Sequence, residues 1–509
     1  MHHGKDRSLV DPKTKNLVIA FVGILATAAL TSQAAVHAAT WDHAHGDAAN
    51  SGFVDVGTAA SFQPSAKVSG LGTFAPGAGP VVGPDGTVYV GNREGVLWAL
   101  HADGGIYWNE PLGAGQSILA SPVIDSDGTI YVVGERTYTD HRVRPAVKRT
   151  DSTLFHIHPT GGRLWSVPFP EHFTGTPQAA SRGATTAPPN IWRSGTSAAV
   201  IVPAVYKVLG GGEDLYLLAF SPGGSLLRQQ EVTYRGQVVS GDAGGFSDAF
   251  GCIISFCYLF PGFSPTPPNF YPDDLLPTPV SAPMPGVGIF TFAGGGVPWV
   301  IVNDPWEQTI GYTFTLDGGF TEMFRDTDRG RIAATSPMEL PDGHSVTAAS
   351  YGSGHYLDDG HLTFSGPNGM ALPAVHYFYP LLATPARTAN QRLVVVSDIG
   401  TVSVLRDASL LTSVDLGAET IAPPAVSRNY IYVSTASSLR TLNILTMTQA
   451  GEYSWSKGGL SAPAIGPSGS LYALADNVLY VFPAPRRRPC YICNPSPPVG
   501  VIHPRLNPP

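Results

Sequence analysis

Paired cysteines and histidines are the residues of this chain best placed to form a cross-link or hold a metal. Cys490-x-x-Cys493 has zinc-ligand spacing, and Cys252 and Cys257 are separated by four residues, which also fits. Four thiols allow three disulfide connectivities. Local pairing, Cys252 with Cys257 and Cys490 with Cys493, is the simplest; free thiols are a second reading, and a four-thiolate zinc site is the sharper alternative. Asn494 stands where a haem-attachment motif needs His. His43-x-His45 and His156-x-His158 would each share one strand face, and His355, His361 and His376 follow further on. Two imidazoles alone do not complete a metal shell, so surface or packing roles are expected. Asp125-Ser126-Asp127-Gly128 opens like a calcium loop but has no Glu at its twelfth position. No Gly-x-Ser-x-Gly elbow is present, and the runs Gly210–Gly212 and Gly294–Gly296 lack the Lys-Ser/Thr of a phosphate loop. No catalytic, cofactor-binding or metal-ligating residue is therefore assigned.

The elements that would position these residues repeat. Gly79-Pro80-Val81-Val82-Gly83-Pro84-Asp85-Gly86-Thr87-Val88-Tyr89-Val90 returns as Ser121 to Val132 and as Ala462 to Ala473. Each copy reads as small-Pro, two apolar residues, a glycine turn, then alternating apolar residues through Tyr: a strand, a tight turn and a second strand. Weaker copies start at Pro188, Pro283, Pro337, Pro385 and Pro423. A second half-motif follows, as in Glu94-Gly95-Val96-Leu97-Trp98-Ala99-Leu100 leading to Asp103-Gly104-Gly105-Ile106-Tyr107-Trp108. Two hairpins make one four-stranded antiparallel sheet. The shortest spacings put the unit at about 40 residues, the size of a propeller blade. Trp98, Trp108, Trp165 and Trp455 recur at matching or nearly matching blade positions, which suits packing between blades.

These repeats resemble the PQQ-like repeat of quinoprotein-type β-propellers: small-Pro-apolar-apolar, Asp-Gly-Thr-apolar-Tyr-apolar, Gly-x-apolar-x-Ala-apolar, then Gly-x-x-x-Trp. Residues 79–108 match nearly throughout, and Trp41, His45-Gly46-Asp47 and Asn50-Ser51-Gly52 look like the family's opening. The resemblance spans roughly 41–483. It implies an all-β fold, a single propeller of eight blades, with seven as the alternative. It also implies that Trp41–Phe53 pairs with the last blade to close the ring. Quinoprotein dehydrogenases use a quinone, Ca²⁺, a carboxylate base and two adjacent cysteines. This chain has no adjacent cysteines, and no Asp or Glu matches the base or the metal ligands, so no cofactor is expected.

Composition and ends set the compartment. Charged residues make up only 13% of the chain, and Lys is nearly absent, which rules out a helical bundle. Net charge is −8, so nucleic-acid binding is disfavoured. Residues 1–16 are polar and basic, Leu17 to Leu30 is uncharged and apolar, and Val36-His37-Ala38 offers a small-residue site before Ala39. Residues 1–38 thus read as a secretory signal peptide, 39–483 as the propeller with an insertion at 228–282, and 484–509 as a Pro-rich tail. The stretches 135–150 and 166–186 read as smaller insertions. The expectation is a secreted or periplasmic, non-catalytic binding or scaffolding module, whose partner is an envelope or extracellular protein or a surface polymer. The alternatives are a quinone- or metal-dependent oxidoreductase and a secreted carbohydrate-active enzyme, either using the central channel.

Overall fold

Proline lacks a backbone donor and disfavours continuation of a preceding strand, so each small-Pro step marks where one sheet stops and the next begins. In the computed structural model, an inner strand follows these steps: Val81–Val82, Val123–Ile124, Asn190–Ser194, Gly288–Phe290, Met338–Glu339, Ala386–Arg387, Ala425–Val426 and Ala464–Ile465. The structure describes residues 40–485 apart from 61–62, 142–145, 173–180, 208–212, 234–285, 292–296, 305–307, 328–330, 333–334, 341–342, 354–355, 366–370, 407, 457 and 460. Pro283 lies outside the described residues.

Each inner strand opens an antiparallel meander, giving an eight-bladed β-propeller with no helix among the described residues. Blade 1, for example, runs Val81–Val82, Val88–Gly91, Val96–Leu100 and Ile106–Pro111. Blade 5 carries a fifth strand, Arg331–Ile332. Blade 8 takes its outer strand from the other end of the chain: Ala66–Val68 pairs with Val478–Phe482, Lys67 opposite Tyr480. The closing strand is therefore Ala66–Val68, not Trp41–Phe53 as expected. Closure covers an edge that a three-stranded sheet would leave open to association.

The core lies between blades. One cluster joins blades 7, 8 and 1 around Trp41, Tyr432 and Tyr472; another joins blades 3 and 4 around Trp192 and Phe314. The double-glycine turns explain part of this packing. Trp108 of blade 1 lies over Gly161 of blade 2, and Trp165 of blade 2 lies over Gly224 of blade 3. An added Cβ would sit 3.2 Å and 3.0 Å from the respective rings, and both glycines have positive φ. Each indole also donates to the next blade, Trp108 to the Pro159 carbonyl and Trp165 to the Pro222 carbonyl. Trp98, in the third strand of blade 1, and Trp455, which donates to Thr435 of its own blade, occupy other positions but also pack between blades, in the cluster joining blades 7, 8 and 1.

Candidate functional site

The two ends of the ring are built differently. At the end where inner strands turn into second strands, residues 41–58 form a belt. Trp41 exchanges backbone bonds with Val82 of blade 1, and the Asp42 carbonyl accepts from Ile124 of blade 2. The Ala48 carbonyl accepts from Asn190 Nδ2 of blade 3 and from the Ile289 amide of blade 4. Ala49 accepts from Glu339 of blade 5, Ser51 from Arg387 of blade 6, and Gly52 from Val426 of blade 7. The chain visits blades 1 to 7 in order before joining blade 8. Several inner strands have only two residues, and their last amides find acceptors in the belt, which satisfies buried donors. Gly46, Asn50 and Gly52 have positive φ, allowing the belt to curve. Asp55 pairs with Arg428 at 2.8 Å, and Asp47 lies 3.9 Å from Arg387.

The belt also settles His43 and His45. They lie in a turn closed by His43 and Gly46, not on a strand face as expected. His43 Nδ1 is 2.6 Å from Asp42. Desolvation pushes His45 down to about 4, so it is neutral at physiological pH. Nearby, burial pushes Glu339 up to about 7; Arg387 acts against that shift and Asp47 with it.

The opposite end carries the hairpins that join second to third strands. In blades 1, 6, 7 and 8 these strands hold four to six residues. In blade 2 both hold eleven, Ile130–Asp140 and Val147–Ile157. In blade 3 they are Ser197–Lys207 and Glu213–Phe220, and in blade 5 Ser345–Ser353 and Tyr356–Ser365. The blade 2 hairpin continues through the pairs Glu135↔Ser152 to Asp140↔Val147, beyond the last pairing of its third strand with its fourth at Thr153↔Pro168. At about 3.3 Å per residue that is an arm of roughly 20 Å. Residues 135–140 and 146–150, expected as an insertion, are thus part of this arm.

Cross-strand pairs hold the arm. Arg136 faces Asp151 at 3.3 Å, the Thr137 and Thr150 hydroxyls are 3.0 Å apart, and Arg149 reaches Asp140 at 2.9 Å. Gly183 and Ala184 tie the arm to blade 3, through the Ser152 amide and the Val205 bridge. There Tyr206, Tyr216 and His172 form an aromatic cluster with centroids 5.0 to 5.8 Å apart. Arg136, Thr137, Thr139 and Lys148 remain exposed. Residues 228–233 of the insertion expected at 228–282 belong to Leu226–Thr233, the outer strand of blade 3; residues 234–285 lie outside the described residues.

Glu135, at the root of the arm, is pushed up to about 7 by burial and then by Asp151. Between the ordinary glutamate value and about 7, the folded chain keeps a proton that the unfolded chain has released. Rising pH therefore costs stability across that window, and the loss is complete above it. Glu135→Gln is expected to leave stability unchanged at pH 4 and to raise it by about 1–2 kcal/mol at pH 8, read from denaturant unfolding at both values.

The remaining candidates disperse. His156 is buried in a strand, stacked on Tyr131 with centroids 4.3 Å apart, whereas His158 lies in the exposed turn beyond it and contacts Thr160. The two therefore do not share a strand face. The Asp125–Gly128 segment is a hairpin turn: Asp127 accepts from the Thr129 amide and hydroxyl, and Asp125 meets Arg193 of blade 3. His361 and His376 are brought together, with His355 outside the described residues. Cys252, Cys257, Cys490 and Cys493 also lie outside them.

Among the described residues, no three His, Cys, Asp or Glu side chains stand together as a metal-ligand group. Burial raises Glu135 on blade 2 and Glu339 on blade 5 to about 7, and Asp398 on blade 6 to about 6 with a contribution from neighbouring Glu419, which burial also raises. Among the described residues, these side chains offer no cluster that would hold a cation beside a quinone.

A family profile described as outer membrane protein assembly factor BamB matches residues 38–167. No curated protein matches the chain. Among solved structures, quinohemoprotein alcohol dehydrogenase from Comamonas testosteroni aligns with TM-score 0.54 and 11% identity, over 88% of this chain and 81% of that one. A europium-containing methanol dehydrogenase aligns with TM-score 0.51 and 11% identity, over 86% and 89%. BamB from Moraxella catarrhalis gives TM-score 0.49 and 14% identity, over 82% and 98%. The first two likenesses concern the fold alone. No helix among the described residues is long and apolar enough to cross a membrane.

Proposed function

We propose that this β-propeller of PQQ-like repeats is an exported binding module, which engages an envelope or extracellular protein through the face bearing its long hairpins. The observation carrying this reading is the asymmetry of the ring. One end is committed to internal hydrogen bonds with the belt, while the other presents exposed charged and hydroxyl side chains on a braced arm. Preorganised arms of this kind reduce the ordering cost of association. In the same reading the mature chain starts at Ala39, the propeller runs to residue 483, and the tail of 484–509 tethers or clings. Cys252–Cys257 and Cys490–Cys493 pair as disulfides in an oxidising compartment.

The test is photo-crosslinking in living cells from Thr137 and Thr139 on the arm, with Asp55 on the belt as the reference position. One discrete adduct from the arm positions, weakened by Arg136→Glu with Lys148→Glu, is the expected result. Adducts from Asp55 alone would reject the assignment of the binding face.

A further inference from the structure

We infer that His361 and His376 form a binding site for a divalent late transition-metal ion on the outer half of blade 5. The two residues face each other across neighbouring strands, in register. Their rings are 4.0 Å apart at the centroids and inclined at 71°, with His376 Nδ1 3.1 Å from His361 Nε2. A metal about 2.0–2.1 Å from each nitrogen would subtend roughly 100° at that separation. This lies between the angles of about 90° and about 109° of square-planar and tetrahedral centres. Two imidazoles suit zinc, copper or nickel, and the softness of the donors argues against calcium or magnesium.

The strands hold the pair from both sides. Leu362, next to His361, points to the opposite face and packs into the core between blades 5 and 6. Ser365, four residues along the strand, donates to Asp326 of blade 4 at 2.9 Å. His376 is exposed, so solvent can complete the coordination shell and the ion has a path in. A metal clip across the two outer strands of blade 5 would add cross-strand support there.

The experiment is calorimetric titration of the full chain with Zn²⁺ after chelator stripping, comparing wild type, His376→Asn and, as a remote exposed control, His158→Asn. His376 is exposed, so its replacement leaves the core intact, and unchanged melting of the metal-free variant checks this. The expected result is a zinc-binding step in wild type and His158→Asn that weakens by about tenfold or more in His376→Asn. His361→Asn should lose the same step. Titrations of wild type and His376→Asn that superimpose, or no zinc binding by wild type, would overturn the site.

Discussion

Deleting residues 41–68 is expected to abolish soluble folded protein. The deletion removes the belt from seven blades and the outer strand from the eighth. Blade 8 would be left with three strands and the Val478–Phe482 backbone bare on one side. An unpaired apolar edge templates association with other chains. The inner strands would lose the acceptors of Val82, Ile124, Ile289, Glu339, Arg387 and Val426. Each orphaned buried amide costs about 1–3 kcal/mol, and several together match the roughly 5–15 kcal/mol of a whole domain. Size-exclusion chromatography of the expressed deletion should show only aggregate. A soluble species with a cooperative melt near that of the intact chain would mean the belt is not structural.

Trp41→Ala is expected to cost about 3–5 kcal/mol, the range for truncating a fully buried large aromatic. Trp41 has no exposed surface and packs in the cluster linking blades 7, 8 and 1. Its backbone bonds to Val82 do not depend on the side chain, so the loss reports packing alone. Urea unfolding gives the number; a change below about 1 kcal/mol would place the residue outside the core.

The repeat was legible because proline and glycine act locally. Inner strands begin one residue after Pro80, Pro122, Pro337, Pro385 and Pro463, and two after Pro188 and Pro423. Asp-Gly-Thr turns were readable for a similar reason: Asp85 and Asp127 accept from Thr87 and Thr129, two residues on. The belt was not legible in its true role. Its conformation is dictated by donors on seven separate blades, and Trp41–Phe53 carries no strand alternation that would betray them. The blade 2 arm was hidden because its faces are both polar, so Arg136, Thr137 and Lys148 gave the charge signature of a loop. The His361–His376 pair depends on strand register, which residue spacing along the chain does not specify.

The most direct test of the binding-module account is to purify the protein from the native culture without denaturation, then record its absorbance and identify co-purifying proteins by mass spectrometry. The account predicts a stoichiometric protein companion, dissociated by the charge reversals at Arg136 and Lys148, and no quinone band. A stoichiometric bound quinone in a preparation free of companions would contradict it.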